Sequence, residues 1–372
     1  DINDQWQLSL GGRYTADEND IDQLADVTLT QHVAAFLRIP GLEQAPLVLS
    51  PTGAAIVPNL PFFNFFLPHR GGVNATGNII GRGNTETVTT YPENKIGYDK
   101  WSEFTPSATL SFRASDNTLL YGGVSTGFKS GGFTFTGTAY NALTYEPETV
   151  TTYSVGLKTT LADGSLRFNA EAFLNDYQDK QFTVVALDET TGTLLQQNDN
   201  AGEVETCGLE FELLWLPIDG LAFNLNLGYL DTEVKELIDE VSPGVLGNVA
   251  DDRAMGYAPE WMVQARAQYT ANLGGAGTLT FAVDANYRDK MYTDSPIALD
   301  DPFALNALSE DRIITNAFLT YLSSDSRWRV TLEGKNLSDK RVLENTFQVS
   351  NFILGGYNRG RTWGLTVAYE MH

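Results

Sequence analysis

Trp363-Gly364-Leu365-Thr366-Val367-Ala368-Tyr369-Glu370-Met371-His372 alternates with a period of two residues. Trp363, Leu365, Val367, Tyr369 and Met371 fall on one face of an extended strand, and Gly364, Thr366, Ala368 and Glu370 fall on the other, because successive strand side chains point to opposite sides. At the edge of a soluble sheet this pattern would leave an apolar ladder open to other chains. In a membrane β-barrel the last strand is paired and its apolar face meets lipid. The stretch therefore points to a membrane barrel, and similar alternation recurs about a dozen times upstream.

The composition agrees. The 372 residues are 42% hydrophobic and 11% aromatic, with 34 Gly, 16 Tyr and 20 Phe, a mix that suits strands, tight turns and interfacial aromatic girdles. No stretch approaches the ~18 consecutive apolar residues of a membrane helix. A mean hydropathy of −0.19 is compatible with a barrel, since half of each strand faces a polar lumen. Cys207 is the single cysteine, so no intrachain disulfide forms, and its place inside a strand pattern makes it a structural thiol. The net charge of −23 argues against a nucleic-acid partner, which needs a basic surface. Much of the acidity sits in predicted loops, at Asp17, Glu18, Asp20 and Asp22, at Asp239 and Glu240, and at Asp300 and Asp301. No basic and apolar leader lies behind Asp1, and a fragment or a mature chain is expected on that ground.

Turn chemistry fixes the strand count. Short turns are expected at Arg113-Ala114-Ser115-Asp116-Asn117, Ala162-Asp163-Gly164-Ser165, Pro217-Ile218-Asp219-Gly220, Gly274-Gly275-Ala276-Gly277 and Ser323-Ser324-Asp325-Ser326, each rich in residues that turns select. Long connections at 15–100, 129–148, 187–194, 233–257, 291–311 and 345–358 alternate with them. The fold class that follows is all-β, an antiparallel transmembrane β-barrel wall. Its twelve strands fall at 5–14, 101–112, 117–128, 149–160, 165–186, 195–216, 221–232, 259–272, 277–290, 312–322, 327–344 and 360–371. Eleven of them run consecutively over 101–371, behind a long extracellular loop at 15–100.

The faces are legible strand by strand. Leu166, Phe168, Ala170, Ala172 and Leu174 oppose Arg167, Asn169, Glu171 and Asn175. Leu209, Phe211, Leu213 and Trp215 oppose Glu210 and Glu212, and Leu279, Phe281, Val283, Ala285 and Tyr287 oppose Asp284, Asn286 and Arg288. The apolar set is assigned to lipid and the polar set to the lumen. Trp6, Trp215, Trp261, Trp328 and Trp363 stand near strand ends, where interfacial aromatics collect. A soluble β-sandwich or propeller is the competing architecture, and strands of up to about 20 residues count against it.

Several segments resemble one family. Phe104-Thr-Pro-Ser-Ala-Thr-Leu-Ser-Phe112 and Leu120-Tyr-Gly-Gly-Val-Ser-Thr-Gly-Phe-Lys-Ser-Gly-Gly-Phe133 look like the mid-barrel signature of TonB-dependent outer-membrane receptors. Tyr145-Glu-Pro-Glu-Thr-Val-Thr-Thr-Tyr-Ser-Val-Gly-Leu-Lys158, Cys207-Gly-Leu-Glu-Phe-Glu212, Tyr257-Ala-Pro-Glu-Trp261, Lys335-Asn-Leu-Ser-Asp-Lys340 and Arg361-Thr-Trp-Gly-Leu365 follow in the family's order. The resemblance implies the last twelve strands of a 22-stranded barrel in a Gram-negative outer membrane, with the N-terminal plug and TonB box absent from this sequence. It also implies uptake of a scarce nutrient, a ferric siderophore first among them, powered by TonB and its inner-membrane complex through that absent part. The family usually finishes on an aromatic residue, and here Met371-His372 takes its place.

Ligand contacts are expected at the outer ends of the strands. Phe128, Lys129, Phe133, Phe135, Tyr140, Tyr357 and Arg359 gather there. Aromatic rings offer apolar area at low entropic cost, and cations pair with an anionic chelate. The apolar run Pro61-Phe62-Phe63-Asn64-Phe65-Phe66-Leu67-Pro68 is a second place for contact with ligand, lipid or a partner, or for packing among loops. No catalytic constellation is present. His32, His69 and His372 lack metal-ligand spacing, no nucleophile elbow occurs, and no helix follows Gly127-Phe-Lys-Ser-Gly-Gly132 to bind phosphate. The acidic run Asp17–Asp22 lacks full calcium-loop spacing. Neither an enzyme nor a resident cofactor or metal is expected. The lumen carboxylates Glu171, Glu210, Glu212, Asp284, Glu333 and Glu370 and the cations Lys158, Arg167, Arg266, Arg288 and Lys335 read as a hydrogen-bonded wall. The alternative function is a self-contained 12-stranded passive pore, in which the strand at 5–14 pairs with the last.

Overall fold

The computed structural model describes residues 4–22, 27–29, 86–88, 95–134, 143–188, 193–242, 245–294, 297–299, 304–349 and 352–371. The Phe62–Phe66 run lies outside them. Twelve strands follow one another in one antiparallel sheet, and a short thirteenth, Val245–Asn248, pairs with Ile238–Ser242 at the side of this row. The twelve are β1 (Trp6–Asp22), β2 (Lys95–Ser115), β3 (Thr118–Lys129), β4 (Glu148–Leu161), β5 (Leu166–Asp188), β6 (Thr193–Ile218), β7 (Leu221–Ser242), β8 (Trp261–Asn272), β9 (Thr278–Arg288), β10 (Arg312–Leu322), β11 (Trp328–Lys335) and β12 (Thr362–Tyr369). Their order in the sheet is their order in the chain. Among the described residues β1 pairs with β2 alone and β12 with β11 alone, so no ladder joins the first strand to the last.

All twelve expected strands are present, with differences at their ends. β1 and β2 stay in register from Trp6↔Phe112 to Ile21↔Gly97, so residues 15–22 and 95–100 belong to strands and not to the connection between them. The segment expected as one strand over 327–344 stops at Lys335, because Asn336 adopts a left-handed φ of 50°. In the expected loop at 187–194 the described residues are ladder, with Leu187 paired to Leu194 and Asp188 to Thr193. β5, β6 and β7 have 23, 26 and 22 residues, about twice the 9–11 needed to cross a bilayer. Their surplus stands above the membrane on a small core of its own, where Phe182, Ala201, Val204 and Leu237 are buried against Tyr177, Val234, Val249 and Met255.

The two faces separate as the alternation requires. Phe281 is 52% exposed while its inner-face neighbours Ala282 and Asp284 are 1% and 8% exposed. Greater burial of the polar side marks it as the concave, inner surface. Aromatic pairs belt the outer surface. Trp6–Phe112 (ring centroids 4.5 Å apart), Trp215–Phe223 (5.4 Å) and Trp328–Tyr369 (4.8 Å) lie at the short-turn rim, and Tyr229–Trp261 (4.8 Å) lies at the loop rim. Inside, cross-strand hydrogen bonds satisfy the polar ladder. Asn169 Nδ2 donates to Glu212 Oε2 at 2.9 Å, Asn316 Nδ2 to Asp284 Oδ1 at 2.6 Å, and the Tyr121 hydroxyl to Glu171. Arg266 Nη1 lies 3.7 Å from Asp284 Oδ2.

The short turns need their special residues. A Cβ on Gly220 would stand 2.4 Å from the Thr270 carbonyl oxygen, and one on Gly277 2.0 Å from that of Leu322, both at positive φ, where only glycine is unstrained. In the last short turn the Ser323 hydroxyl donates to Asp325 Oδ1 at 2.6 Å and the Arg327 amide donates to the same oxygen at 3.2 Å. The hydroxyl bond first, then the amide, hold the Asp325 carboxyl below the usual carboxylate range.

Candidate ligand site at the loop rim

The strand ends decide where the expected contacts fall. Phe128 and Lys129 are adjacent in β3, so they point to opposite faces. Phe128 shares the outer face with Leu120 and Val124, whereas Lys129 shares the inner face with Tyr121. Lys129 lies opposite Glu148 in the ladder, yet Glu148 is buried and already held by Lys180 Nζ at 2.7 Å and the Gln181 amide at 3.1 Å. No ion pair forms at Lys129 among the described residues, and its side chain is exposed. Above it, the hairpin Gly132–Thr134 with Leu143–Tyr145 carries Phe133, which packs edge-on against the buried Trp101 at 5.8 Å. Phe135 and Tyr140 lie outside the described residues.

The other half of the expected set is far away in the sheet. Tyr357 ends the hairpin Leu343–Val349 with Phe352–Tyr357, and Arg359 follows it. Both side chains are exposed. This hairpin rises from β11, eight positions from β3 in the strand order, or roughly 38 Å along the wall at ~4.8 Å per strand. The structure therefore places Lys129 and Phe133 on one part of the rim and Tyr357 and Arg359 on another.

Asn336 anchors the second group. Its Nδ2 donates to the carbonyls of Lys340 (2.8 Å) and Arg359 (2.9 Å), its Oδ1 accepts the Lys340 amide (3.1 Å), and its own amide donates to Asn316 Oδ1 (2.9 Å). Asp339 Oδ1 accepts the Arg361 amide at 2.7 Å. The Lys335–Lys340 motif is thus a clasp between the top of β11 and the start of β12. Asn336→Ala is expected to cost about 2–4 kcal/mol, because the half-buried side-chain bonds to the Lys340 amide and the Arg359 carbonyl are lost, the Lys340 carbonyl keeps only Asn358 Nδ2, and alanine disfavours the left-handed backbone. Urea unfolding in detergent micelles is the measurement, and a loss below ~0.5 kcal/mol would show that the clasp is dispensable.

A third cluster was missed by sequence reasoning. Arg288 ends β9 and Arg312 begins β10, directly opposite each other on the inner face. Glu344, from the hairpin above, accepts from both. Its Oε2 lies 3.4 Å from Arg288 Nη1, and its Oε1 meets Arg312 Nη1. Arg288 Nη2 also donates to the fully buried Ser309 hydroxyl at 2.6 Å, while Arg288 Nε is buried without an acceptor. Two guanidinium groups share one carboxylate, so one positive charge and one N–H donor remain unmatched. Charge-assisted donors of this kind bind oxyanions well. Arg288 was legible as a lumen residue, but Glu344 reaches it across 56 residues, and no periodicity carries that information. Among the described residues no group of His, Cys, Asp and Glu is placed to hold a metal, and no helix is long and apolar enough to cross a membrane.

Comparison with known proteins agrees with this geometry. A family profile described as "TonB dependent receptor-like, beta-barrel" matches residues 1–337. The ferric-pyoverdine M114 receptor PbuA of Pseudomonas sp. (strain M114) is 26% identical over 242 residues, which cover 64% of this chain and 26% of that receptor. Among solved structures, the ferric yersiniabactin uptake receptor FyuA of Yersinia pestis aligns with a TM-score of 0.59 at 18% identity, over 74% of this chain and 38% of that one. The closed form of the ferric-catecholate import receptor Fiu of E. coli K12 aligns with a TM-score of 0.59 at 15% identity, over 99% of this chain and 43% of that one. The chain thus spans about a quarter of the curated relative's length and about two fifths of the solved ones. Its alternating wall, its aromatic belts and the profile match over most of its length make it a member of the TonB-dependent receptor β-barrel family, proteins of the Gram-negative outer membrane.

Proposed function

We propose that the chain is wall for a receptor that takes up a ferric siderophore across the outer membrane. One observation carries the reading beyond the family: the Arg288–Arg312 pair, inside the loop rim, with one unmatched positive charge. An iron chelate bearing carboxylates or other ionised oxygens matches it, and the relatives above are named for ferric ligands. Lys129, Phe133, Tyr357 and Arg359 are proposed as further contacts around the rim. Phe128, on the outer face, is not. We place the twelve strands as the C-terminal part of a 22-stranded barrel, with the unpaired edges of β1 and β12 completed by further strands. The family consists of transport receptors. Energy for concentrative uptake would come from TonB and its inner-membrane complex, acting through parts of the receptor beyond this wall. Lipid is the partner of the apolar face.

The test is uptake of radioactive iron as ferric pyoverdine and as a ferric catecholate by cells with and without the receptor gene, with TonB active or inactivated. Accumulation of one chelate that needs both the gene and TonB is expected. Gene-dependent entry that persists without TonB would support the passive pore instead. No gene-dependent accumulation of either chelate would remove the siderophore reading.

A further inference from the structure

Glu344 holds the Arg288–Arg312 pair, yet the hairpin that carries it is anchored without that contact. On one side of Glu344, Val342 and Leu343 are buried, and the Val342 amide donates to Asn358 Oδ1 at 2.8 Å. On the other side, the Thr346 hydroxyl donates to the carbonyl of the fully buried Thr293 at 3.1 Å. Thr293 is itself a junction. Its amide donates to the Ala307 carbonyl at 2.8 Å, and the Tyr257 hydroxyl donates to its carbonyl at 2.5 Å. The backbone is therefore fixed on both flanks of Glu344, and its carboxylate is presented to the two guanidinium groups. Of the three charged side chains Glu344 is the most open, 34% exposed against 11% for Arg288 and 22% for Arg312. An anion arriving from solvent meets this carboxylate first and reaches both guanidinium groups by displacing it.

We propose that Glu344 is an internal competitor at the outer anion site and sets which anions the site accepts. The proposal rests on the reading of Arg288 and Arg312 as that site. A carboxylate tethered this closely has an effective concentration of about mM or more, above that of a dilute acid outside. A monocarboxylate that replaced Glu344 would restore the same single negative charge between two cations and would lose its own freedom of motion. That exchange gains nothing. A ligand with two or more ionised oxygens supplies both negative charges at once, so the second guanidinium is matched only after exchange. The site thus rejects monoanions and admits polyanions, a selectivity that comes from a repulsive element as well as an attractive one. The displaced carboxylate turns into the solvent that already reaches it, and the hairpin keeps its place through Val342 and Thr346. A purely structural ion pair is the competing account. The anchors on both flanks disfavour it, because they hold the hairpin without a third.

The probe is inorganic pyrophosphate, titrated by calorimetry at constant ionic strength into the receptor in detergent micelles. Glu344→Gln keeps an acceptor oxygen for the guanidinium groups and removes the competing charge, so it should tighten pyrophosphate binding at least about tenfold. Glu344→Ala should tighten it by a similar factor. Acetate, exchanged for chloride, should leave pyrophosphate binding to the parent unchanged and should weaken binding to Glu344→Gln. The gain should vanish when Arg288→Gln is added. Unchanged or weaker binding in both Glu344 variants overturns the competitor, and the outer site still stands if Arg288→Gln weakens binding to the parent. Equal binding by the parent and by Arg288→Gln removes the outer site and the competitor with it. If both Glu344 variants lower the melting temperature with no gain in affinity, the ion pair is structural and the proposal fails.

Discussion

Replacing Arg288 and Arg312 together by glutamine is expected to weaken binding of an anionic ferric chelate by roughly a hundredfold or more. Each guanidinium contributes charge-assisted hydrogen bonds worth about 1.5–3 kcal/mol, and glutamine supplies neither the charge nor the fork. Arg288 sits deep beside Ser309 and Glu344, so part of the loss would come from an unpaired Glu344. Adding Glu344→Gln to the double variant separates the two effects. If binding needs the positive charge, the triple variant stays weak. If the damage is an orphaned carboxylate, the triple variant recovers. The measurement is equilibrium binding from low to high salt. An affinity and salt dependence equal to the parent's would place the ligand elsewhere on the rim, beside Lys129 or Arg359.

Val283→Arg is expected to destabilise the wall by about 2–4 kcal/mol, since it sets a cation in lipid near mid-membrane. Val283 occupies the middle of β9, on the face of Phe281 and between Ala267 and Ala317. Asn226→Arg is the matched control. It lies on the inner face opposite Glu212 and Gln264, where a cation gains a carboxylate neighbour, so its effect should stay within about 1 kcal/mol. Reversible urea unfolding in lipid vesicles gives both numbers. Equal costs for the two substitutions would mean that the faces have been assigned wrongly.

The strands were legible because a two-residue period is local. Leu209 against Glu210, or Phe281 against Asp284, can be sorted without knowing what either touches, and both sort correctly in the structure. Strand ends were less legible. Nothing in the alternation says that Asn336 turns left-handed and ends β11 at Lys335, because the reason lies in Lys340, Arg359 and Asn316, up to 23 residues away. The rim was the hardest part to read. Taking 129 onward as loop hid the fact that Phe128 and Lys129 still obey strand alternation and part to opposite faces. The Arg288–Glu344–Arg312 arrangement depends on a hairpin folding back over a neighbouring ladder, a tertiary event with no periodic signature.

Because, among the described residues, the twelve wall strands stand in the sheet in the order of the chain, the wall is a tandem array of hairpins. Duplicating or deleting one hairpin disturbs two ladders and leaves the remaining registers as they were. Lineages can therefore widen or narrow such a wall in whole-hairpin steps, and each loop can diverge without consulting the next. The short turns at Gly220 and Gly277, where a side chain would collide with the adjoining strand, are the seams that must be copied faithfully. What is inherited here is a repeatable join, and what varies is the cargo each join carries on its far end.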